Sequence, residues 1–502
     1  MYRMLLIFIA LFTISFIVMS AIKIEESSPI GRALINAWLS GRGYHDHAGY
    51  VDINSTQMAL LQAVMLATFL FVVAGTVMRM EWRVGLAVMG LLVATFFVTP
   101  PQILIKEAIE WNLILFLIGS MIFAGILREL GVFRLLAANI VRVSRGNSIF
   151  MLLLLVLLSF TTAAILDEVT SIVYITLLVF ELASILGVDV MRLLIIAVLA
   201  TNTGSLALPI GNPIGIYLFF VTKMPFSTYV SYALPLALME LVVLFLVLLI
   251  VERKFIAEMD MAVKSKASEL KSFVERYYRS LDKRSFKNVR FGLALLIAFI
   301  AMISLNEPIS HLMESMFHAP VDSHSLIAFI PYIFVILGIS VIPMEDIPKH
   351  IEKSVEWPAI MFFIGLFILG YSLLYCGAMV KIAYVFSHFA WLILPIMLIS
   401  STYLSAVLDN LSVIVAFTPM AILMYTTGLS TEIIYFALLA GGVLGGNYTP
   451  IGSTANIVAV SIAERRGVYV SWRSWLKISS ITTTVQVLSA LAWIQMYQVL
   501  HA

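Results

Sequence analysis

The sequence predicts an all-α polytopic membrane protein with about eleven transmembrane helices, two re-entrant hairpins and two inverted-topology repeats that contain broken helices. Three observations predict this fold. Apolar residues make up 61% of the 502 residues and charged residues only 12%, about half of the ~25% that is typical of soluble proteins. Apolar segments long enough to cross a ~30 Å hydrocarbon core recur along the chain. Several sequence segments also occur twice, at a nearly constant separation.

Three pairs of matching segments indicate that one half of the chain duplicates the other. The pairs are IEWNLILFLIGSMIFAGILRELG at 109–131 with VEWPAIMFFIGLFILGYSLLYCG at 355–377, LDEVTSIVYIT at 166–176 with LDNLSVIVAFT at 408–418, and SLALPIGNPIGI at 205–216 with GNYTPIGSTANI at 446–457. Their first residues lie 246, 242 and 241 positions apart. Duplicated halves in membrane proteins commonly build a transport pathway between them.

The chain is predicted to have four parts. Residues 1–57 form an additional N-terminal transmembrane helix and an extracellular loop, 58–251 the first repeat, 252–290 a basic cytoplasmic linker, and 291–502 the second repeat. The linker suits either an amphipathic helix at the membrane surface or a solvated connection. The predicted spans are 4–21, 58–78, 82–100, 111–128, 192–221, 229–251, 291–304, 325–343, 357–376, 432–462 and 478–499.

Two further apolar segments, 147–188 and 385–427, are interrupted by LDEVT and LDNLS. Each could be a re-entrant hairpin or two full crossings. Re-entrant hairpins with a cytoplasmic N-terminus and an outside C-terminus place most of the 31 Lys and Arg residues in the cytoplasm, as the positive-inside rule expects. Two crossings per segment give the same sidedness, but the acidic centres favour tips held in protein or water. We expect an integral protein of a prokaryotic plasma membrane.

Three carboxylates, Asp167, Glu168 and Asp409, lie in the middle of apolar sequence. A charge at that depth costs at least ~2.5–3.5 kcal/mol and persists where it faces a wet cavity, a cation or a partner. Ion binding is therefore predicted at these tips, with Na+ near Asp167 and Asp409 as one expectation. The alternative is that these residues only cap helices. The predicted binding residues of the two tips are Asp167, Glu168, Thr170, Asp409, Asn410 and Ser412.

Glycine and proline are dense at 201–216 and 441–456, which predicts a broken helix in each half. Unwound carbonyls beside a carboxylate suit a small cation, whereas half-helix N-termini suit an anion or a neutral polar solute. The alternative is that the glycines only allow close helix packing. The predicted binding residues of the two breaks are Asn202, Gly204, Ser205, Gly211, Asn212, Gly446, Asn447, Thr449, Gly452, Ser453 and Asn456.

These motifs resemble the ion transporter superfamily, in the branch of arsenite permeases, Na+/H+ antiporters, citrate–metal symporters and the P protein. Members carry a Leu-Asp-Asn-like tip and a Gly-Gly-x-x-Thr-x-Ile-Gly-x-x-x-Asn break, which LDN at 408–410 and GGNYTPIGSTANIVAVSIAERRG at 445–467 match closely. The first copy departs from the pattern, with Glu168 and Gly215 where Asn is usual. The resemblance implies a scaffold, a mobile transport domain, an elevator mechanism and a homodimer.

The leading functional expectation is a secondary active transporter for a small anion or a metalloid oxyacid, arsenite- or carboxylate-like, coupled to H+ or Na+. The alternative is a Na+/H+ antiporter. An intramembrane aspartyl protease is disfavoured because neither aspartate lies in a Gly-x-Gly-Asp segment, and inverted repeats with breaks favour alternating access over a channel. We expect no enzymatic activity, no cofactor beyond the coupling ion, no nucleic acid partner, and no metal at His45-Asp46-His47, since two loop histidines lack further ligands.

Overall fold

The chain is helical throughout the region that the computed structural model describes, which comprises residues 2–41, 52–98, 100–144, 146–266, 268–272, 275, 283–318, 320–342 and 344–501. Helices account for 85% of the structure, and no strand occurs among the described residues. The predicted all-α class is therefore confirmed. The His45-Asp46-His47 segment lies outside the described residues, as does part of the 252–290 linker.

The α-helices of the described ranges are numbered in chain order. They are α1 Tyr2–Ala21, α2 Pro29–Gly41, α3 Thr56–Met78, α4 Arg83–Phe97, α5 Trp111–Glu129, α6 Val132–Ser144, α7 Ser148–Leu166, α8 Glu168–Leu186, α9 Val190–Ser205, α10 Pro213–Thr222, α11 Phe226–Val251, α12 Arg253–Ser265, α13 Lys283–Ser304, α14 Asn306–Phe317, α15 Ser323–Ile339, α16 Ile347–Ser354, α17 Trp357–Tyr375, α18 Ala378–Ser387, α19 Ile393–Val407, α20 Asn410–Thr426, α21 Ile433–Gly446, α22 Thr454–Arg465 and α23 Trp472–His501.

Nine helices in the described part of the chain are long and apolar enough to cross a membrane, and seven shorter apolar helices accompany them. This is the pattern of a polytopic membrane protein. The hairpin arms α7 and α8 have 19 residues each, or about 28 Å at 1.5 Å per residue. Their length suffices for a full crossing, so the re-entrant form of this segment stays a prediction.

Polar side chains directly before several of the helices mark where those helices begin. Asn147 accepts a hydrogen bond from the Phe150 amide at the start of α7, and Asp189 accepts one from Met191 at the start of α9. Such caps satisfy amide groups that have no partner within the helix. Gly187 ends α8 in the left-handed region, at φ 68°, where glycine has no steric penalty. Local residues of the 147–188 segment thus determine where its helices begin and end.

The structure divides into two compact units. Unit 1 comprises residues 1–110, 357–445 and 491–502. Its helices pack closely where glycine lets them: a Cβ on Gly90 would lie 2.8 Å from the Leu369 side chain, and one on Gly365 would lie 2.6 Å from Ala87. These contacts join α4 to α17, as expected where small residues let helix backbones approach in a membrane.

Unit 2 comprises residues 111–356 and 446–490. Within it α9 packs against α7, α8 and α11, and α22 packs against α8 and α9. The linker begins with the amphipathic helix α12, whose apolar face, including Phe255 and Met259, is buried. Ser148 at the start of α7 donates a hydrogen bond to Asp260 of α12 over 3.1 Å. This face therefore packs on protein. The four-part division by repeats stays a prediction, because the compact units follow packing and not sequence duplication.

Candidate functional site

Both predicted helix breaks are present. The first separates α9, which ends at Ser205, from α10, which begins at Pro213. The second separates α21, which ends at Gly446, from α22, which begins at Thr454. Both breaks lie in unit 2, the first from Asn202 to Asn212 and the second from Gly446 to Asn456.

Four side chains join the two breaks in what we call the asparagine cluster: Asn202, Asn447, Ser453 and Asn456. The Asn202 side-chain amide donates to Asn447 Oδ1 over 2.8 Å and to Asn456 Oδ1 over 2.9 Å. Ser453 donates to Asn456 Oδ1 over 2.7 Å. All four are at most 1% exposed. Buried amides are costly unless they are hydrogen-bonded, so this cluster holds the two breaks together.

The second break is also closed by hydrogen bonds to its own backbone. The Asn456 side-chain amide donates to the carbonyl oxygens of Gly446 and Thr449, each over 2.8 Å. The Trp475 ring nitrogen donates to the Asn447 carbonyl over 3.1 Å. Carbonyls freed by the break therefore have protein partners here.

The two breaks use the same capping geometry at matching positions. Asn212 precedes α10 and accepts a hydrogen bond from the Gly215 amide, and Ser453 precedes α22 and accepts one from the Asn456 amide over 3.2 Å. A Cβ on Gly211 would lie 2.7 Å from the Ser205 carbonyl oxygen, and one on Gly452 would lie 2.6 Å from that of Gly446. Only glycine allows these backbone approaches.

The first hairpin tip reaches the first break through Glu168. Ser205 donates its hydroxyl to Glu168 Oε2 over 3.1 Å, and the Asn212 amide donates to Ser205 Oγ over 2.8 Å. Glu168, Ser205 and Asn212 are all buried. Gly204 lies in the same region, where its lack of a side chain lets α9 approach the Phe160 backbone of α7. One continuous polar network thus links the tip and the breaks.

Asp167 caps α8. Its carboxylate accepts from the Val169 amide over 2.7 Å, the Thr170 amide over 3.0 Å and the Thr170 hydroxyl over 2.7 Å. Its backbone has φ 78° and ψ 153°, a region used almost only by glycine. Asp167 therefore caps α8, and it holds this position in a strained backbone conformation.

Asp167 also lines a cavity of about 150 Å³ in unit 2, together with Arg128, Tyr174, Lys353 and Glu356. Arg128 and Lys353 additionally line a larger cavity of about 520 Å³, which we call the basic cavity. Its other charged or titratable residues are Glu129, Asp346, Lys349 and His350. The two cations therefore line both the basic cavity and the cavity at the hairpin tip.

The second hairpin tip lies in unit 1. Asp409 precedes α20, and its carboxylate accepts from the Ser412 amide at 3.4 Å and the Ser412 hydroxyl at 3.5 Å. Asn410 and Ser412 are buried. These distances are at the long limit of hydrogen bonding, so the Asp409 cap is looser than the Asp167 cap.

Sequence reasoning missed several residues that the fold brings to the site. Arg128 on α5 and Lys353 on α16 line the same cavity as Asp167, although each is distant from it in sequence. Gln486 donates to Thr203, the neighbour of Asn202, over 3.0 Å. Only tertiary packing creates these contacts. Sequence reasoning also missed Glu240, which lies outside this site but carried a local signal, because it is the one charged residue in the apolar helix α11.

Paired helix breaks and acidic hairpin tips in a polytopic helical chain define a membrane transporter. The family model described as citrate transporter (CitMHS) matches residues 63–441. The chain therefore belongs to this citrate transporter family, and the resemblance to the ion transporter superfamily is confirmed.

Several curated relatives also carry transporter names. An uncharacterized transporter of Mycobacterium tuberculosis is 27% identical over 412 residues, which cover 78% of this chain and 88% of the relative. An uncharacterized transporter of Synechocystis is 23% identical over 450 residues, covering 84% and 95%. The human P protein is 24% identical over 437 residues, covering 74% of this chain and 52% of the P protein. These names agree with the expectation that the chain is not an enzyme.

Proposed function

We propose that this protein is a secondary active transporter that moves a small anion or a metalloid oxyacid, coupled to H+ or Na+. The observation that carries the proposal is the buried polar network of the two breaks. The asparagine cluster joins the end of α9 to the N-terminus of α22. Asn212, at the N-terminus of α10, donates to Ser205, whose hydroxyl lies within hydrogen-bond distance of the Asn202 carbonyl. Helix N-termini with neutral polar caps favour anions and polar solutes.

The basic cavity supports an anionic substrate. Arg128, Lys349 and Lys353 line it against the two carboxylates Glu129 and Asp346. A cavity with an excess of one charge raises the local concentration of oppositely charged solutes. Arg128 and Lys353 also line the smaller cavity that contains Asp167. This arrangement suits an anion that passes from the cavity toward the first hairpin tip.

The second candidate function is Na+/H+ antiport. It is favoured by the carboxylates Asp167, Glu168 and Asp409, since protons and sodium ions compete for the same oxygens. The elevator mechanism, the homodimer, the prokaryotic plasma membrane and the orientation with a cytoplasmic N-terminus belong to the same proposal. They follow from the family resemblance and the charge distribution.

Reconstitution into liposomes tests the proposal. Citrate, other carboxylates, phosphate and arsenite are offered in turn under an imposed H+ gradient and, separately, an imposed Na+ gradient. Gradient-driven accumulation of one of them is expected. Na+-driven proton flux without any added anion would favour the antiporter, and the absence of both fluxes would defeat both candidates.

Variants of the basic cavity sharpen this test. Arg128→Gln and Lys353→Gln are expected to raise the KM for the anion several-fold while leaving kcat nearly unchanged, with a smaller effect at high salt because screening weakens the attraction. Lys264→Gln, an exposed cation on α12, is the matched control and should leave KM unchanged. If all three variants kept the KM of the parent protein, the basic cavity would not be part of the transport route.

A further inference from the structure

Glu240 is a buried acid that the transport site described above does not use. It lies at the middle of α11 (Phe226–Val251), surrounded along that helix by apolar residues, and its exposure is 0%. An ionisable group at such a depth is costly and typically marks a proton or ion pathway. The question is which ion this carboxyl holds.

The hydrogen bonds of Glu240 leave one oxygen without a donor. Ser489 of α23 donates its hydroxyl to Glu240 Oε1 over 2.7 Å, whereas Glu240 Oε2 is buried without a hydrogen-bond partner. Gln486, one turn earlier on α23, donates its side-chain amide to the Glu240 backbone carbonyl over 3.2 Å. The Gln486 carbonyl oxygen Oε1 is also buried without a partner.

Two acceptor oxygens on neighbouring side chains therefore both lack a donor. A proton on Glu240 converts one of these acceptors into a donor and removes the negative charge at once. An unprotonated Glu240 instead leaves a buried carboxylate with a single hydroxyl donor, which is unfavourable in an apolar interior. Hard metal cations gather about six oxygen ligands, which is more than Glu240 and Gln486 supply.

Glu240 has no charged neighbour among the described residues of the helices packed on α11. Helix α7 contains no titratable residue. Arg192 on α9 lies 11 positions from Thr203, and Lys477 and His501 on α23 lie 12 positions from Ser489, or about 16–18 Å along each helix. The charged residues of α12 begin at Arg253, beyond the end of α11. The carboxyl is thus isolated from a counter-charge.

Glu240 is nevertheless joined to the transport site by hydrogen bonds that start at its backbone carbonyl. The Gln486 amide that contacts the Glu240 backbone also donates to Thr203 Oγ1 over 3.0 Å. Thr203 directly follows Asn202 of the asparagine cluster, and two positions later Ser205 donates to Glu168, the next titratable group along this path. A change of charge at Glu240 can therefore alter the packing of α9 next to the helix break.

We propose that Glu240 is the proton-binding site of this transporter, holding one exchangeable proton between α11 and α23 and passing its charge state to the break through Gln486 and Thr203. The step is the binding and release of one H+ by the carboxyl group, with no other bond made or broken. The inference rests on the proposed ion-coupled transport for its role. The existence of the proton-binding site at Glu240 does not depend on that proposed function.

Infrared difference spectroscopy on the purified full-length protein, without substrate, tests the site itself. A pH titration of the parent protein should show the carbonyl stretching band of a protonated carboxyl. That band should be lost in Glu240→Gln and kept in Glu258→Gln, which removes an exposed carboxylate of α12. An unchanged band in Glu240→Gln would overturn the proposal, whatever the transport measurements show.

Ser489→Ala is a second variant that keeps the carboxyl. The Ser489 hydroxyl stabilises the ionised form by donating to it, so its loss favours the protonated form. The band of Ser489→Ala is therefore expected to persist to higher pH than the band of the parent. An unshifted titration would contradict the assignment even if Glu240→Gln failed to fold.

Transport assays then test the coupling role. Glu240→Gln should lose H+-driven accumulation while retaining exchange of labelled for unlabelled substrate, which needs no net proton movement. Full H+-driven accumulation in Glu240→Gln would overturn the coupling role. If the parent protein moves no substrate under any gradient, the proposed function fails, and the infrared titration alone decides whether Glu240 holds the proton.

Discussion

Asn202, in the last turn of α9, donates its side-chain amide to Asn456 Oδ1 over 2.9 Å, although the two residues are 254 positions apart. The same amide donates to Asn447 over 2.8 Å. One planar group thus ties the two helix breaks together inside unit 2. The consequences of this arrangement for stability and transport can be measured.

The first prediction concerns Asn202→Ala. The change removes two donated hydrogen bonds and leaves the buried Asn447 Oδ1 without its donor from Asn202, so we expect a loss of about 2 kcal/mol of unfolding free energy. Thermal unfolding in detergent should fall clearly below the parent, and transport should be lost. Asn36→Ala, on the exposed side of α2, is the control and should melt with the parent. Equal melting of both variants would mean that the asparagine cluster does not stabilise the breaks.

The second prediction separates capping from ion binding at the hairpin tips. At Asp167, glycine loses the cap but relieves a backbone strain of ~1–3 kcal/mol, whereas glycine at a cap otherwise costs only a few tenths of a kcal/mol. Asp167→Gly should therefore be at least as stable as the parent. Asp409 has φ −61°, so Asp409→Gly gains no such relief and should be slightly less stable. Unfolding midpoints of the two variants check this order.

A transport assay on the same Asp167→Gly protein completes the test. Because its fold is retained, any loss of transport reports the missing carboxylate and not unfolding. Full activity in Asp167→Gly would reduce Asp167 to a helix cap.

The breaks and tips were predictable because their signals are local. Glycine and proline interrupt a helix wherever they occur, and Asp167 and Asp409 stand out against apolar neighbours. The cavity that Arg128 and Lys353 share with Asp167 was not predictable, since it depends on how α5 and α16 pack beside the hairpin. The pairing of Glu240 with Ser489 depends in the same way on the packing of α11 against α23.

The third prediction concerns two glycines that sit at matching positions in the duplicated segments. A Cβ on Gly204 would lie 2.6 Å from the Phe160 Cα, and a Cβ on Gly445 would lie 2.8 Å from the Thr402 Cα. Both contacts are with backbone atoms that cannot rotate away, so each alanine variant should lose about 1–3 kcal/mol. Gly85→Ala on α4 meets nothing within 4 Å and should be neutral or stabilising by up to ~1 kcal/mol. A cost at Gly85 equal to that at Gly204 would refute the packing explanation.

The fourth prediction concerns topology. In a background with Cys376→Ala, single cysteines replacing exposed Ser265 on α12 and exposed Ser315 on α14 should react with impermeant thiol reagents from opposite sides of the membrane. Ser265→Cys is expected to be cytoplasmic and Ser315→Cys outside, as the distribution of Lys and Arg requires. Labelling of both from one side would invalidate the predicted orientation of the second half.

The last prediction concerns ion coupling at Asp409. The hydrogen bonds of its cap are 3.4 and 3.5 Å long, whereas those of the Asp167 cap are 2.7–3.0 Å long. The Asp409 carboxylate is therefore held more weakly by its own helix and is more available to a cation. Asp409→Asn keeps the size and capping ability of the side chain while removing its charge. We therefore expect normal insertion and melting, loss of gradient-driven uptake, and partial retention of substrate exchange.

The measurement is uptake into liposomes under separate H+ and Na+ gradients, with Asp189→Asn, a cap outside both tips, as the control. Unchanged dependence on both gradients in Asp409→Asn would assign its carboxylate to capping alone and leave Asp167, Glu168 and Glu240 as the candidates for coupling.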